Sequence, residues 1–63
     1  MDTLLRKLDK ALVRKGCHVI RDRKHFSIIR SRDNHVVSDM DMTGMTKREV
    51  RRTLEILLLA VTQ

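Results

Sequence analysis

The sequence predicts an α+β fold in the order α-β-β-β-α, with a three-stranded antiparallel sheet and both helices packed on one face of it. Apolar residues recur at three- and four-residue steps near both ends of the chain, short β-branched runs lie between them, and polar segments separate those runs. A chain of 63 residues is long enough for one hydrophobic core only. Residues 1–63 are therefore predicted to form a single domain.

The first helix is predicted over residues 2–15. Asp2 or Thr3 can cap its free N–H groups, and Gly16 can adopt the left-handed conformation with which many helices end. Its apolar stripe consists of Leu4, Leu5, Leu8, Ala11 and Leu12.

Three strands are predicted at residues 17–21, 25–30 and 35–40. The polar segments between them are short and suited to turns, so two hairpins and a meander are expected. Because side chains alternate between the two faces of a strand, Phe26 contacts the helices only if His25 faces the open side. By the same alternation, Ile29 lies on the side of His25.

The second helix is predicted to begin at Thr46, which forms a capping box with Glu49. Ile56 and Leu59 lie beside its apolar stripe and widen it. One interpretation is a deeply buried terminal helix, and the other is contact with a partner or a second subunit, which would be a homodimer through this helix. The stripe consists of Val50, Leu54, Leu57, Leu58 and Val61.

The charge predicts a polyanionic partner. The chain has 14 Lys and Arg against 8 Asp and Glu, a net charge of +6, and Phe26 is its only aromatic residue. Phosphate contacts would supply most of the affinity of such a chain, whereas binders of unpaired bases usually stack them on aromatic rings. RNA is the expected partner, with DNA as the second choice; the alternative is that the charge serves solubility alone.

The predicted nucleic-acid-binding residues lie in both helices and before the second strand. Cations in the first turns of a helix are unfavourable for its dipole, and their presence there indicates that they bind a phosphate. The alternative is a solvated charged face that includes Glu49 and Glu55. The predicted residues are Lys7, Lys10, Arg23, Lys24, Lys47, Arg48, Arg51 and Arg52. We expect the open sheet face and the neighbouring helix ends to present such cations jointly.

His25 is the candidate catalytic residue. A histidine can act as general base when the 2′-hydroxyl of RNA attacks its own phosphate, and Arg23 and Lys24 could hold that phosphate. The alternative is a solvated strand residue, which is also our interpretation of His18 and His35. No close pair of metal ligands such as CxxC or HxxxH is present, so no metal or other cofactor is expected.

A cytoplasmic location without membrane insertion is expected. The single cysteine, Cys17, cannot form an internal disulfide, and no run of 18 apolar residues could span a bilayer. The first residues lack the apolar stretch of a secretory signal.

Nearly the whole chain resembles the HicA toxins, small bacterial mRNA interferases whose fold is similar to double-stranded-RNA-binding domains. The similarity lies in a helix that ends at Gly16, a following strand, residues 24–26 opening the second strand, and a basic terminal helix. It implies metal-independent endoribonuclease activity with His25 as the base, and a HicB-type antitoxin as partner. Arg23 and Lys24 replace the small residues that precede the histidine in that family, and residues 38–42 replace a proline-containing segment.

Three functional hypotheses follow from the sequence. The first is an RNA-binding domain in which His25 cleaves the RNA. The second is a regulatory protein that binds nucleic acid without cleaving it. The third is a protein-interaction module that uses Ile56 and Leu59.

Overall fold

The computed structural model describes residues 2–63, without the side chain of Asp2, and confirms the predicted α+β fold and element order. Capping by Asp2 lies outside the described side chains, and Thr3 already lies within the first helix. The elements are α1 (Asp2–Val13), β1 (Cys17–Asp22), β2 (His25–Arg30), β3 (His35–Asp41) and α2 (Lys47–Thr62).

The helix α1 ends at Val13, two residues before the predicted end. The N–H of Lys15 donates to Leu12 O and that of Gly16 to Val13 O, so the last turn is tighter than an α-helix. Gly16 has φ of +72°, the left-handed conformation expected of it. The tight turn directs the chain into β1 immediately afterwards.

The sheet is an antiparallel meander in the order β1-β2-β3. The register of β1 and β2 runs from Cys17 opposite Arg30 to Asp22 opposite His25. Between β2 and β3 the register shifts at Ile28 and Ile29, which leaves Val37 as an extra residue in β3. This β-bulge could not be read from the alternation of the sequence.

The core lies between the two helices and one face of the sheet. The side chains of Phe26, Leu8 and Leu54 are completely buried there. Asp9 of α1 accepts a hydrogen bond of 3.1 Å from the N–H of Val19, which fastens α1 to the outer edge of β1. Both helices therefore lie on the Phe26 side, and the other sheet face is open.

The helix α2 starts as predicted, but it is less buried than one of the two interpretations expected. Thr46 and Glu49 form the capping box, with N···O distances of 3.0 and 3.2 Å. Ile56 and Leu59 are 54% and 61% exposed. The interpretation of a deeply buried terminal helix is therefore wrong for the outer side of α2, which is free for a partner.

Candidate nucleic-acid interface

The register defines the open face of the sheet. Asp22, His25 and Asp41 lie in one cross-strand row, at the end of the sheet next to the β1–β2 turn. The next two rows contain Ile20, Ser27 and Asp39, and then His18, Ile29 and Val36. Ile29 is only 7% exposed, because its neighbours in the register screen a residue of the central strand from both sides.

His25 lies on the open face, as the alternation predicts, and contacts a carboxylate. Its Nε2 contacts Asp39 Oδ1, and the side chains are 46% and 57% exposed. Ser27 Oγ donates to the same oxygen at 3.0 Å. These hydrogen bonds, from His25 first and Ser27 second, hold the pKa of Asp39 below its usual value. Such a carboxylate orients an imidazole and leaves Nδ1 as the ring nitrogen that could exchange a proton with a ligand.

Asp39 is a site residue that sequence reasoning missed. It is 14 positions from His25, and the two meet only because β2 and β3 pair in this register. The signal available in the sequence was a carboxylate in β3 with the parity of the open face. A β-bulge makes that parity ambiguous without the structure.

The surroundings of His25 are acidic. Asp22 and Asp41 lie opposite it on the two neighbouring strands. Asp41 accepts hydrogen bonds of 2.6 and 2.9 Å from the hydroxyl and the N–H of Thr43, which lower the pKa of Asp41. The nine residues of the three rows include no lysine or arginine. The open face therefore does not present cations, contrary to the expectation from sequence.

The cations at the start of α2 are on the helix side of the molecule and are exposed. The capping box occupies this end of α2, because the hydroxyl of Thr46 accepts from the N–H of Glu49. Hydrogen bonds from Thr46, its N–H first, also lower the pKa of Glu49 and so favour a carboxylate here. Attraction for phosphate must then come from the side chains of Lys47, Arg48, Arg51 and Arg52.

The β1–β2 turn lies beside the start of α2. Lys24 Nζ donates to Met45 O, which is the contact that joins the two segments. Met45 in turn lines a shallow depression with Arg48 and Arg52. The structure thus brings Arg23 and Lys24 close to the cations of α2, although Lys24 is half-buried and already hydrogen-bonded.

Lys7 and Lys10 belong to a different part of the surface. They line a cleft between α1 and the end of α2, together with Arg14 and Val61. The 16 residues of α2 correspond to about 24 Å at 1.5 Å per residue. The predicted binding residues therefore form two groups, one near each end of α2.

None of these eight cations is neutralised by a carboxylate. Among the described side chains, ion pairs form only between His25 and Asp39 and between Arg30 and Asp33. Seven of the eight residues are exposed, Lys24 being the half-buried one. Of the fourteen lysines and arginines only Arg30 pairs with a described carboxylate, so the chain has a positive potential that attracts polyanions.

The side chains that the structure describes, those of residues 3–63, include no group of three His, Cys, Asp or Glu arranged to hold a metal ion. Cys17 is half-buried and free. In the same part of the chain, no helix is both long enough and apolar enough to cross a bilayer.

Comparison of the chain with protein-family models, with curated proteins and with solved structures gives no match. The resemblance to HicA toxins stays a prediction, as do the catalytic role of His25 and the HicB-type partner.

Proposed function

We propose that this chain binds the phosphate backbone of double-stranded RNA through the cations of its helix side. The observation that carries the proposal is the set of eight lysines and arginines without carboxylate partners. They form one group near each end of α2. Affinity from such a surface is electrostatic, because each phosphate contact releases condensed counterions. The two groups are Arg23, Lys24, Lys47, Arg48, Arg51 and Arg52 near its start, and Lys7 and Lys10 near its end.

The burial of Phe26 favours a duplex over a single strand as the partner. Phe26 is completely buried in the core and the chain has no tyrosine or tryptophan, so its histidines are the only ring side chains at the surface on which an unpaired base could stack. Proteins that bind A-form duplexes instead recognise phosphates and 2′-hydroxyls by shape.

The conformation of Arg23 supports its inclusion in the surface. Its φ is +56°, in the left-handed region that a residue with a Cβ rarely adopts. Glycine would be less strained at the tip of this two-residue turn, and strained residues tend to occur where their side chains have a function. Arg23 is exposed and adjoins Lys24, which contacts Met45 just before α2, and this position is consistent with a phosphate contact.

A salt titration tests the proposal. Binding of a 20-base-pair RNA duplex should weaken roughly a thousandfold between 50 and 200 mM salt, which is the loss typical of about six phosphate contacts. Fluorescence anisotropy measures it, with a DNA duplex and a single strand of the same sequence as comparisons. Both should bind more weakly than the RNA duplex. No binding at 50 mM salt, or binding that does not change with salt, would contradict the proposal.

Cleavage of RNA is a second candidate function, favoured by the contact of His25 with Asp39. An imidazole held by a carboxylate can act as general base on a 2′-hydroxyl. Against it, Asp22, Asp39 and Asp41 would repel the scissile phosphate at this face. Because of this repulsion, binding without cleavage is our first proposal. A HicB-type antitoxin would be a partner only if the protein cleaves RNA.

A pair of histidine variants distinguishes binding from cleavage. If the protein cleaves, His25→Ala should lower the rate at least about a hundredfold, as expected for removal of a general base. Total RNA is incubated with each protein in excess chelator, and the ends produced are mapped. His18→Ala is the matched control, because His18 is on the same face but hydrogen-bonds Ser31 Oγ. Equal cleavage by the parent and by His25→Ala would exclude His25 as the base.

A further inference from the structure

The open face of the sheet combines an apolar half with an acidic half. Ile20 and Val36 are 51% and 50% exposed, and they lie on either side of the central strand. Asp22 and Asp41 lie in the row next to the β1–β2 turn, and Asp39 lies in the next row, across Ser27 from Ile20, where the acidic and apolar halves meet. Asp39 and Asp41 accept hydrogen bonds within the chain, and with Asp22 they still form an acidic surface, in a chain of net charge +6, that complements a cationic partner.

The outer side of α2 has the complementary composition. Arg48, Arg52, Ile56 and Leu59 follow one another at steps of four, four and three residues, so they form one line on the helix. All four are exposed, and the line lies opposite the buried residues Val50 and Leu54. We call this line the outer stripe of α2; its first half is basic and its second half is apolar.

We propose that the outer stripe of α2 in one copy of this chain binds the open sheet face of a second copy. Ile56 and Leu59 would cover the apolar half of that face, and Arg48 and Arg52 would meet its carboxylates. The sheet would then have helices on both faces, a common layered arrangement. If the chain self-associates through its C-terminal helix, the outer stripe and the open sheet face are the two surfaces in contact.

Charge and apolar surface favour this arrangement over the two symmetrical ones, sheet face on sheet face and helix on helix. Two sheet faces packed together would bring two sets of three carboxylates into one interface. Two α2 helices packed together would leave both apolar sheet faces exposed. Only the contact of helix with sheet pairs opposite charges and covers both apolar surfaces.

The contact joins two different surfaces of the same chain, so it does not close after two copies. Such heterologous contacts produce rings or open chains of subunits. Arg48 and Arg52 also belong to the proposed RNA surface. The assembly is therefore tested without nucleic acid, so that its failure leaves RNA binding untouched.

The test uses one variant for each surface. Ile20→Lys places a cation on the sheet face opposite Arg48 and Arg52, and Ile56→Glu places an anion on the outer stripe. Sedimentation should show oligomers of the parent chain that grow with concentration. Each variant alone should be monomeric, with self-association weakened at least tenfold. Val13→Glu is the matched control, because Val13 is 63% exposed and lies outside both surfaces.

Mixing the two variants gives the decisive result. The intact stripe of Ile20→Lys can still bind the intact sheet face of Ile56→Glu, so the mixture should associate at concentrations at which each variant alone is monomeric. Circular dichroism checks that both variants are folded. A parent chain that stays monomeric at several hundred micromolar, or a mixture that stays monomeric, would overturn the proposal.

Discussion

Replacement of Phe26 by alanine is expected to remove about half or more of the free energy of unfolding. Phe26 is completely buried and lies in the same core as Leu8 and Leu54. Removal of a buried phenylalanine side chain costs about 3–5 kcal/mol, through lost transfer free energy and the cavity that remains. A domain of this length has a free energy of unfolding of only about 3–9 kcal/mol. Urea denaturation followed by circular dichroism measures the loss.

Ile20→Ala is the control for this prediction. Ile20 is also a β-strand residue, but half of its side chain is already exposed to solvent. Its truncation removes less buried area and leaves no enclosed cavity, so we expect a loss of about 1 kcal/mol or less. If Phe26→Ala were as stable as Ile20→Ala, the assignment of Phe26 to the centre of the core would be wrong.

Local signals in the sequence were sufficient for most of the fold. The left-handed residue that follows α1 and the capping box that begins α2 both depend on side chains within a few positions of the backbone that they serve. The same is true of β2, whose bounds at His25–Arg30 are those predicted. Alternation within that one strand also put Phe26 and His25 on opposite faces, as the structure has them.

The candidate site depended on contacts between distant segments, which the sequence does not fix. The contact of His25 with Asp39 requires the register of β2 and β3, and that of Lys24 with Met45 requires the position of the turn beside α2. The separation of Lys7 and Lys10 from the other cations depends on how the two helices pack. Counting charges along the chain could not reveal that the open sheet face is acidic.

Charge reversal at the start of α2 is expected to weaken RNA binding strongly and to leave the stability of the fold nearly unchanged. Reversal of Lys47 and Arg51 to glutamate should weaken RNA binding on the order of a hundredfold, because two phosphate contacts are lost and two repulsions are added. Both residues are exposed and lie outside the outer stripe of α2. Negative charge in the first turns of a helix is favourable, so stability should be unchanged or slightly higher. Anisotropy titration with the RNA duplex measures the affinity.

A second double variant separates the effect of this surface from that of net charge. Arg6→Glu with Arg32→Glu lowers the net charge by the same amount. Both residues are exposed and lie outside the two cation groups, Arg6 beside Val19 of β1 and Arg32 next to Gly16. If RNA is held at the start of α2, this control should lose only a fewfold in affinity through long-range attraction, which salt screens. Equal losses in the two double variants would mean that the protein attracts RNA by its overall charge, and that these helix cations form no particular binding surface.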